Sequence, residues 1–505
     1  MIHYLAPRGL EQYSGGGWGT RDVCQGPLEL LLAIGEWQPI RQLLQSVFEQ
    51  QNPDGDWPQW FMFFDRERNI RPGDSHGDII FWPLLALAEY LLASDDAALL
   101  DEVIPFFDRR GKDRGEPATI WRHVERALAA IEQRLIPHTA LAAYGRGDWN
   151  DSLQPVDPAM SESLCSAWTV ALHYQTSNRL AQALRHSGRD RAAAQLETAA
   201  AAIRRDYQRY LLPDGTVAAY AHFPGDGEPE YLLHPRDSST GIHYSLLAMS
   251  YGILSELFTP EQAYRHARAI AEHLLAPDGA RLFDRPFPYR GGPQKTFQRA
   301  ESSSFFGREI GIMYMHANLR YAEAMAHYGD AGAFWRALQL ANPIGIEELV
   351  ASARRRQANC YYSSSDADFA DRYQAEAEYE RVKRGAVALE GGWRIYSSGA
   401  GIAVRLIVQC FLGLRRGHSQ LTIDPVLPTE LDGLEASTRL EDCEVRLVYR
   451  SGSRGCGPVV IELNGAALPF TREANPYRVG GACVAVEELR RRLKRRNNTL
   501  RIELL

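Results

Sequence analysis

Asp148-Trp149-Asn150-Asp151 sets two carboxylates, an indole and an amide side by side, with Gly145 and Gly147 before them and Pro155 after. Helical apolar spacing stops ahead of this stretch and resumes behind it, so it reads as a loop shaped by glycine freedom and proline rigidity. The Trp149 indole offers a flat apolar face to a sugar ring. Asp148 and Asp151 offer hydrogen-bond acceptors, and a carboxyl of raised pKa is a proton donor. The same four residues equally suit an Asx-turn and helix cap around a buried tryptophan. Taken alone they leave both readings open.

Three further loops carry residues of the right kind. Tyr13-Ser14-Gly15-Gly16-Gly17-Trp18-Gly19-Thr20-Arg21-Asp22 ends in an adjacent cation and anion. Arg21 and Asp22 can grip sugar hydroxyls, since a guanidinium donates a fork and a carboxylate accepts two bonds; they can also pair with each other and steady the loop. No phosphate-loop Lys-Ser/Thr follows, which rejects a nucleotide site. In Gly307–His316, Arg308 and His316 straddle a helix start, where free N–H groups favour anions; a core histidine with its bonds satisfied is the plainer alternative. In Trp393–Gly401, Ser397 and Ser398 add hydroxyls to exposed N–H groups that can cradle a phosphate, or one serine simply caps a helix.

The elements that must hold these loops are mostly helices. Apolar residues recur at helical spacing through Pro27–Gln50 (broken at Gly35 and Pro39), Leu84–Leu92, Ile120–Leu135, Cys165–Leu184, Ala192–Tyr210, Gly241–Leu257, Glu261–Leu274, Ile312–Tyr328 and Ala331–Leu340. Loops rich in aromatics, glycines and carboxylates separate them. This alternation predicts an α/α toroid, whose loops surround one central pocket. No fixed-period repeat argues for a solenoid. After Arg416 the pattern changes to short strands at Leu421–Ile423, Cys443–Tyr449, Val459–Leu463 and Leu500–Leu504, predicting a small β-sandwich. Asn464-Gly465 signals a turn, but its continuation into Ala466-Ala467-Leu468 does not look like a clean hairpin. The expected division is a barrel over 1–416 and a β-domain over 417–505.

Composition narrows the class. The chain has 505 residues, net charge −7, pI near 6.1, 45% hydrophobic and 24% charged residues. Those values suit an ordinary globular protein and give no electrostatic case for a nucleic-acid or anionic-membrane partner. The basic run Arg490–Arg496 is most simply a solvated face. Seven cysteines, none in a C-x-x-C pair, fit reduced thiols in a cytoplasmic protein better than a zinc ribbon or a disulfide framework. There is no metal-ligand cluster to suggest a cofactor. No apolar run reaches membrane-spanning length and no leader opens the chain. Because Met1 lies only a few residues before an informative motif, an N-terminal portion is expected to be missing.

Taken in order, these loops resemble the inverting glycoside phosphorylases, the family of the cellobiose and chitobiose phosphorylases, which shares its motifs with the phosphorylase-like domain of cyclic β-1,2-glucan synthases. The matching stretches are Thr20-Arg21-Asp22 with Gln25, Gly55-Asp56 with Gln59-Trp60, Gly147–Asp151, Arg308-Glu309 with Gly311, Tyr314 and His316, Asn342-Pro343-Ile344, Tyr396 with Ala400-Gly401, and Leu412–Arg415. They span roughly residues 5–440. The wording of Thr20–Pro27, Asp56–Phe61 and Asp151–Pro155 is closest to members that act on β-1,2-glucooligosaccharides.

The resemblance implies an (α/α)₆ barrel with a C-terminal β-domain. It also implies phosphorolysis of a β-glucoside to α-glucose 1-phosphate and a shortened acceptor, with inorganic phosphate as co-substrate and no cofactor. By position, Asp151 matches the general acid, and Arg21, Asp22 and Trp149 match residues around the donor glucose. Asp148 is the neighbouring carboxylate that would help keep Asp151 protonated, and it counts as a further substrate-side residue. Arg308 falls where relatives have an acceptor-side lysine. His316 matches a phosphate ligand, and Ser397 with Ser398 stands where relatives have a phosphate-binding Thr-Gly. A homodimer is compatible with this assignment. Ser398 for Gly, Arg308 for Lys and Met313 for Gln depart from the cellobiose enzymes, fit a different linkage preference and give no basis for assigning cellobiose as the substrate.

The chemistry also distinguishes the alternatives. A glycosidic bond breaks through an oxocarbenium-like state, and its leaving oxygen needs a proton. An inverting hydrolase needs a second carboxylate to activate water, for which Asp78 and Glu309 are the nominees. A phosphorylase needs none, because phosphate arrives as an anion. A silent carbohydrate-binding fragment is the third alternative.

Overall fold

The computed structural model describes residues 17–225, 227–304, 310–311, 313–342, 345–354, 364–390 and 397–505, leaving aside the side chains of 364–366, 390, 397 and 398. Among the described residues, eleven helices of nine or more residues build the larger body. They are α1 (Gly26–Ile34), α2 (Trp37–Phe48), α3 (Phe81–Ser94), α4 (Ile120–Glu132), α5 (Ala167–His186), α6 (Asp190–Tyr210), α7 (Leu246–Leu254), α8 (Pro260–Ala269), α9 (Met315–Tyr328), α10 (Ala331–Leu340) and α11 (Ser397–Arg405).

The odd-numbered helices close a ring: α1 packs on α3, α3 on α5, α5 on α7, α7 on α9, α9 on α11, and α11 back on α1. Each even-numbered helix follows an inner one and returns outside it. The result is an (α/α)₆ barrel, as the alternation of helices and loops predicts. Burial follows position. Outer α2 hides only Ile40, Leu43, Leu44, Val47 and Phe48, whereas inner α5 buries fourteen of its twenty residues. A helix enclosed on all sides is buried around most of its circumference, unlike an outer helix with one apolar stripe.

Local chemistry sets the ends. Pro27 begins α1, and Gly35 ends it with φ 79°, the left-handed conformation that glycine adopts without steric cost. Ser166 caps α5 by accepting the Thr169 N–H, and Thr259 forms a capping box with Gln262 at α8.

Two helices start later than their apolar spacing suggests. Residues 241–245 stay non-helical because the Asp284 carboxylate takes the N–H groups of His243 and Tyr244, at 2.9 and 3.0 Å. Met313 and Tyr314 are diverted into an antiparallel pairing with Ser365 and Ser364. Such ribbons of two to four residues between helices are too short to register as alternation.

Beyond α11 the chain makes two sheets around a second core. One contains Leu414–Arg416, Gln420–Ile423, Ala482–Ala485 and Thr471–Arg472. The other contains Glu435–Leu440, Cys443–Arg450, Asn498–Leu504, Pro458–Leu463 and Ala466–Ala467. Leu421, Ile423 and Val484 of the first meet Val445, Leu447, Ile461 and Ile502 of the second. Strand Leu414–Arg416 belongs to this layer and lies just before the expected 416/417 division. Asn464 and Gly465, at φ 56° and 79°, form a two-residue turn that pairs Leu463 with Ala466. That is a true hairpin after all; its return strand is two residues long, too short to be seen as one from sequence. Among the described residues no helix is long and apolar enough to cross a membrane.

Inside the barrel, four charges join three inner helices. Arg320 of α9 donates to Glu29 of α1 and to Glu323, and Arg405 of α11 pairs with the same Glu29 and Glu323. Burial works against the Glu29 charge, but Arg320 and Arg405 overcome it and hold the carboxyl well below its ordinary range. Replacing Glu29 with alanine should cost about 3–5 kcal/mol of unfolding free energy, because it strands buried guanidinium charge; urea denaturation followed by circular dichroism measures this. The sign with pH follows from the depressed folded pKa. The pair stabilises the fold above the unfolded value of about 4.5 and loses that contribution as pH falls toward 2. The Glu29→Ala variant should lack this slope.

Candidate active site

The loops of interest meet at the end of the barrel where the inner helices begin. Strand Gly17–Gly19 pairs with Trp60–Met62, Thr20 N–H donates to Gln59 O at 3.0 Å, and the Thr20 hydroxyl donates to Pro58 O at 2.6 Å. These bonds aim Arg21 inward.

Its partner is not the adjacent Asp22. The Arg21 guanidinium forms a two-pronged pair with Asp78, 2.7 and 2.8 Å, and the Trp82 indole N–H also donates to Asp78 at 2.9 Å. Asp78 is fully buried and Arg21 only 9% exposed. Burial disfavours the Arg21 charge, but Asp78 outweighs it and raises the guanidinium further. Bidentate pairing of this kind fixes both direction and charge. Asp22 lies partly exposed at the same turn, its carboxylate folded over Gly19, where a Cβ would meet Oδ2 at 2.1 Å.

The Asp148–Asp151 loop is held from two sides. Gly77 N–H donates to Gly147 O at 2.9 Å, and His76 bridges Gly145. A side chain on Gly77 would meet Tyr144 O at 2.4 Å, so only glycine permits this approach. On the other flank, Ala300 N–H donates to Ser152 O and Gln298 N–H to Gln154 O, at 3.0 and 2.9 Å.

The two aspartates of this loop face different surroundings. Asp148 points inward. It accepts from Asn150 N–H at 2.8 Å and from the Tyr144 hydroxyl at 3.4 Å, and it borders a cavity of about 20 Å³ with Ser166, Trp168 and Tyr220. Burial, and then the nearby Asp78 charge, push its carboxyl up to about 7. Asp151 is partly exposed, its side chain at 33%, and its buried Oδ1 has no hydrogen-bond partner among the described residues. That oxygen lies 3.6 Å from His76 Nδ1.

His76 Nδ1 sits 2.9 Å from Asp148 O, which only accepts, and 3.3 Å from an Arg21 N–H, which only donates; the shorter contact favours the hydrogen on Nδ1. Its Nε2 then takes a long contact of 3.4 Å from the Gln154 amide. Burial, then Arg21, lower its proton affinity, which keeps a neutral ring against the loop. No functional role for His76 is legible in the sequence.

Trp149 connects the two halves of the site. Its ring stacks on His316, centroids 5.1 Å apart at 21°, and meets Tyr314 edge-on at 4.9 Å. Only 9% exposed, it spends one face on the imidazole rather than leaving both for sugar. His316 opens α9, and its Nε2 lies 2.9 Å from Gln25 Oε1. Arg21 is near enough to sense the charge of Asp151 and to lower the proton affinity of His316. Asp151, Trp149, Arg21 and His316 thus lie on neighbouring segments at the same end of the barrel. Ser397 and Ser398 form the first turn of α11, which packs on α9 and α1, while their side chains lie outside the described residues. Arg308 and Glu309 also lie outside them.

The chain is similar in sequence to known proteins. Residues 14–375 fit the glycosyl hydrolase 94 superfamily catalytic domain, and residues 413–502 fit a glycoside phosphorylase C-terminal domain. A 1,2-beta-oligoglucan phosphorylase of Listeria innocua serovar 6a is 44% identical over 492 residues, covering 97% of this chain and 44% of that protein. The cyclic beta-(1,2)-glucan synthase NdvB of Rhizobium meliloti is 25% identical, covering 88% of this chain and 15% of its own. An N,N'-diacetylchitobiose phosphorylase of Vibrio furnissii is 22% identical, covering 72% and 41%. The chain therefore spans less than half the length of each of these relatives. Among solved structures, a GH78 family rhamnosidase of Bacillus sp. GL1 superposes with a TM-score of 0.50 at 12% identity, covering 89% of this chain and 40% of that one; this likeness concerns the fold alone. With the family pattern running through most of the barrel, the chain belongs to the glycosyl hydrolase 94 superfamily.

Proposed function

We propose that this chain carries out inverting phosphorolysis of a β-1,2-glucooligosaccharide in the cytoplasm, yielding α-glucose 1-phosphate and an acceptor shorter by one glucose. Asp151 is the general acid. His316, with the first turn of α11 at Ser397 and Ser398, receives phosphate. Arg21, Asp22 and Trp149 surround the donor glucose, Asp148 supports the loop from beneath, and Arg308 serves the acceptor side.

The observation that carries this is the Trp149–His316 stack at 5.1 Å. It brings the loop bearing the partly exposed Asp151 carboxyl against the helix bearing the buried His316 imidazole, which supports a pairing of acid and anion site. In the reaction, the Asp151 proton passes to the leaving glycosidic oxygen. A phosphate oxygen attacks C1 from the opposite face, which inverts the anomeric centre. The helix N-terminus at Ser397 favours an anion there.

A hydrolase on the same barrel needs a free carboxylate to activate water. Asp78 has both oxygens engaged by Arg21 and sits fully buried, which argues against it in that role. The similarity to a 1,2-beta-oligoglucan phosphorylase over 97% of this chain supports both the linkage and the co-substrate.

Incubation with β-1,2-glucooligosaccharides should release glucose 1-phosphate only when inorganic phosphate is added. Sugar release without phosphate would favour hydrolysis, and binding without turnover a silent fragment. Asp151→Asn should lower turnover by about 10²–10⁴-fold, the usual contribution of a positioned acid, with an unchanged circular dichroism spectrum; retained activity would remove Asp151 from the acid role. His316→Ala should raise KM for phosphate far more than KM for the oligosaccharide, as initial rates at varied phosphate will measure.

A further inference from the structure

Gln25 and His316 meet where α1 and α9 begin. Both are buried, at 1% and 4% exposure. The orientation of the Gln25 amide follows from its neighbours. Arg320 presents an N–H to one end at 3.0 Å, and a guanidinium can only donate, so that end is Oε1. The other end lies 3.3 Å from Arg21 O, which can only accept, so it is the NH₂ group. Arg320 has little freedom to turn away, because Glu29 and Glu323 hold it.

The chain of constraints continues to the imidazole. Gln25 Oε1 is 2.9 Å from His316 Nε2, and an acceptor there requires Nε2 to carry hydrogen. In a neutral ring Nδ1 is then bare. Nδ1 is buried and has no hydrogen-bond partner among the described residues. Burial first, then Arg320 and Arg21, push His316 well below its ordinary pKa, and only Glu29 opposes them. The ring therefore enters the site neutral, as an acceptor, with its donating nitrogen already committed.

We infer that Gln25 is a positioning residue that holds His316 as the Nε2–H tautomer, so that Nδ1 accepts the P–OH hydrogen of bound phosphate. This rests on His316 being the phosphate contact. It orients the nucleophile. Hydrogen phosphate has one hydroxyl and three unprotonated oxygens; with the hydroxyl turned to Nδ1, an unprotonated oxygen faces C1. That oxygen forms the C1–O bond as the glycosidic C1–O bond breaks. The leaving oxygen takes its proton from Asp151, and the P–OH hydrogen remains on the phosphoryl group of the product.

Nitrogen-15 NMR of the full chain labelled at histidine reads the tautomer directly, with His316 assigned by the signals lost in His316→Ala. The wild type should show protonated Nε2 and bare Nδ1, and inorganic phosphate should perturb Nδ1. Gln25→Met, similar in size but without the acceptor, should lose the tautomer preference and weaken phosphate binding about tenfold, the scale of one buried hydrogen bond. Gln25→Glu retains an acceptor and should keep Nε2 protonated, which also decides the matter if the methionine variant fails to fold. Protonated Nδ1 in the neutral wild type, or a folded Gln25→Met with unchanged tautomer and phosphate affinity, would overturn the inference. An Nε2–H ring that ignores phosphate, with His316→Ala binding phosphate normally, would instead overturn the assignment of His316 to the phosphate site and the acceptor role with it.

Discussion

A guanidinium removed from water must be neutralised, and this requirement organises the working end of the barrel. Arg21 is buried with Asp78 as its two-pronged partner. Breaking such a buried pair by losing one member typically costs about 3–5 kcal/mol, so the loop leading into α1 and the loop leading into α3 are tied in one geometry. Burial is the main cause of the shifts at Asp148, His76 and His316; Asp78 adds to the rise of Asp148, and Arg21 adds to the lowering of His76 and, less, of His316. The two charges of the pair act in opposite directions on Asp148 and on His76, so each leaves part of the other's effect uncompensated only where it stands nearer.

Deeper in the ring the same constraint is met by Glu29, Arg320, Glu323 and Arg405. These residues come from α1, α9 and α11, and α11 is where Ser397 and Ser398 begin. Hydrophobic packing alone would tolerate small slides between these helices. Paired charges in a dry interior do not, because each displacement leaves an ion partly unsolvated. The Gln25–His316 contact is built on this base through Arg320.

Two carboxylates three residues apart receive different environments from a single turn. Asp148 spends its oxygens on the turn and on Tyr144, and burial holds its pKa near 7. Asp151 keeps a face toward solvent. Trp149 between them spends its ring on His316 and Tyr314. The loop is therefore both a cap-like turn around a buried tryptophan and a display of one partly exposed carboxyl. The two readings that compete in the sequence coexist in the fold.

The alternation of helical periods and carboxylate-rich loops was enough to give the barrel, and the shift to short β-rich runs gave the second domain, because periodicity is a local property that survives without coordinates. The ordered motifs also gave the family. Local pattern did not give the helix starts at Leu246 and Met315, which depend on Asp284 and on the strand beside Met313. Nor did it give the partner of Arg21. Neighbouring Asp22 was the natural choice in one dimension, yet the barrel places Asp78 opposite the guanidinium, 57 residues away along the chain. His76 and Gln25 carried no chemical signature of their own; each matters only through what stands against it. Residue types fix which charges and rings are available, while the closing of six helices into a ring decides which of them share a dry space and hence which are paired, neutral or exposed.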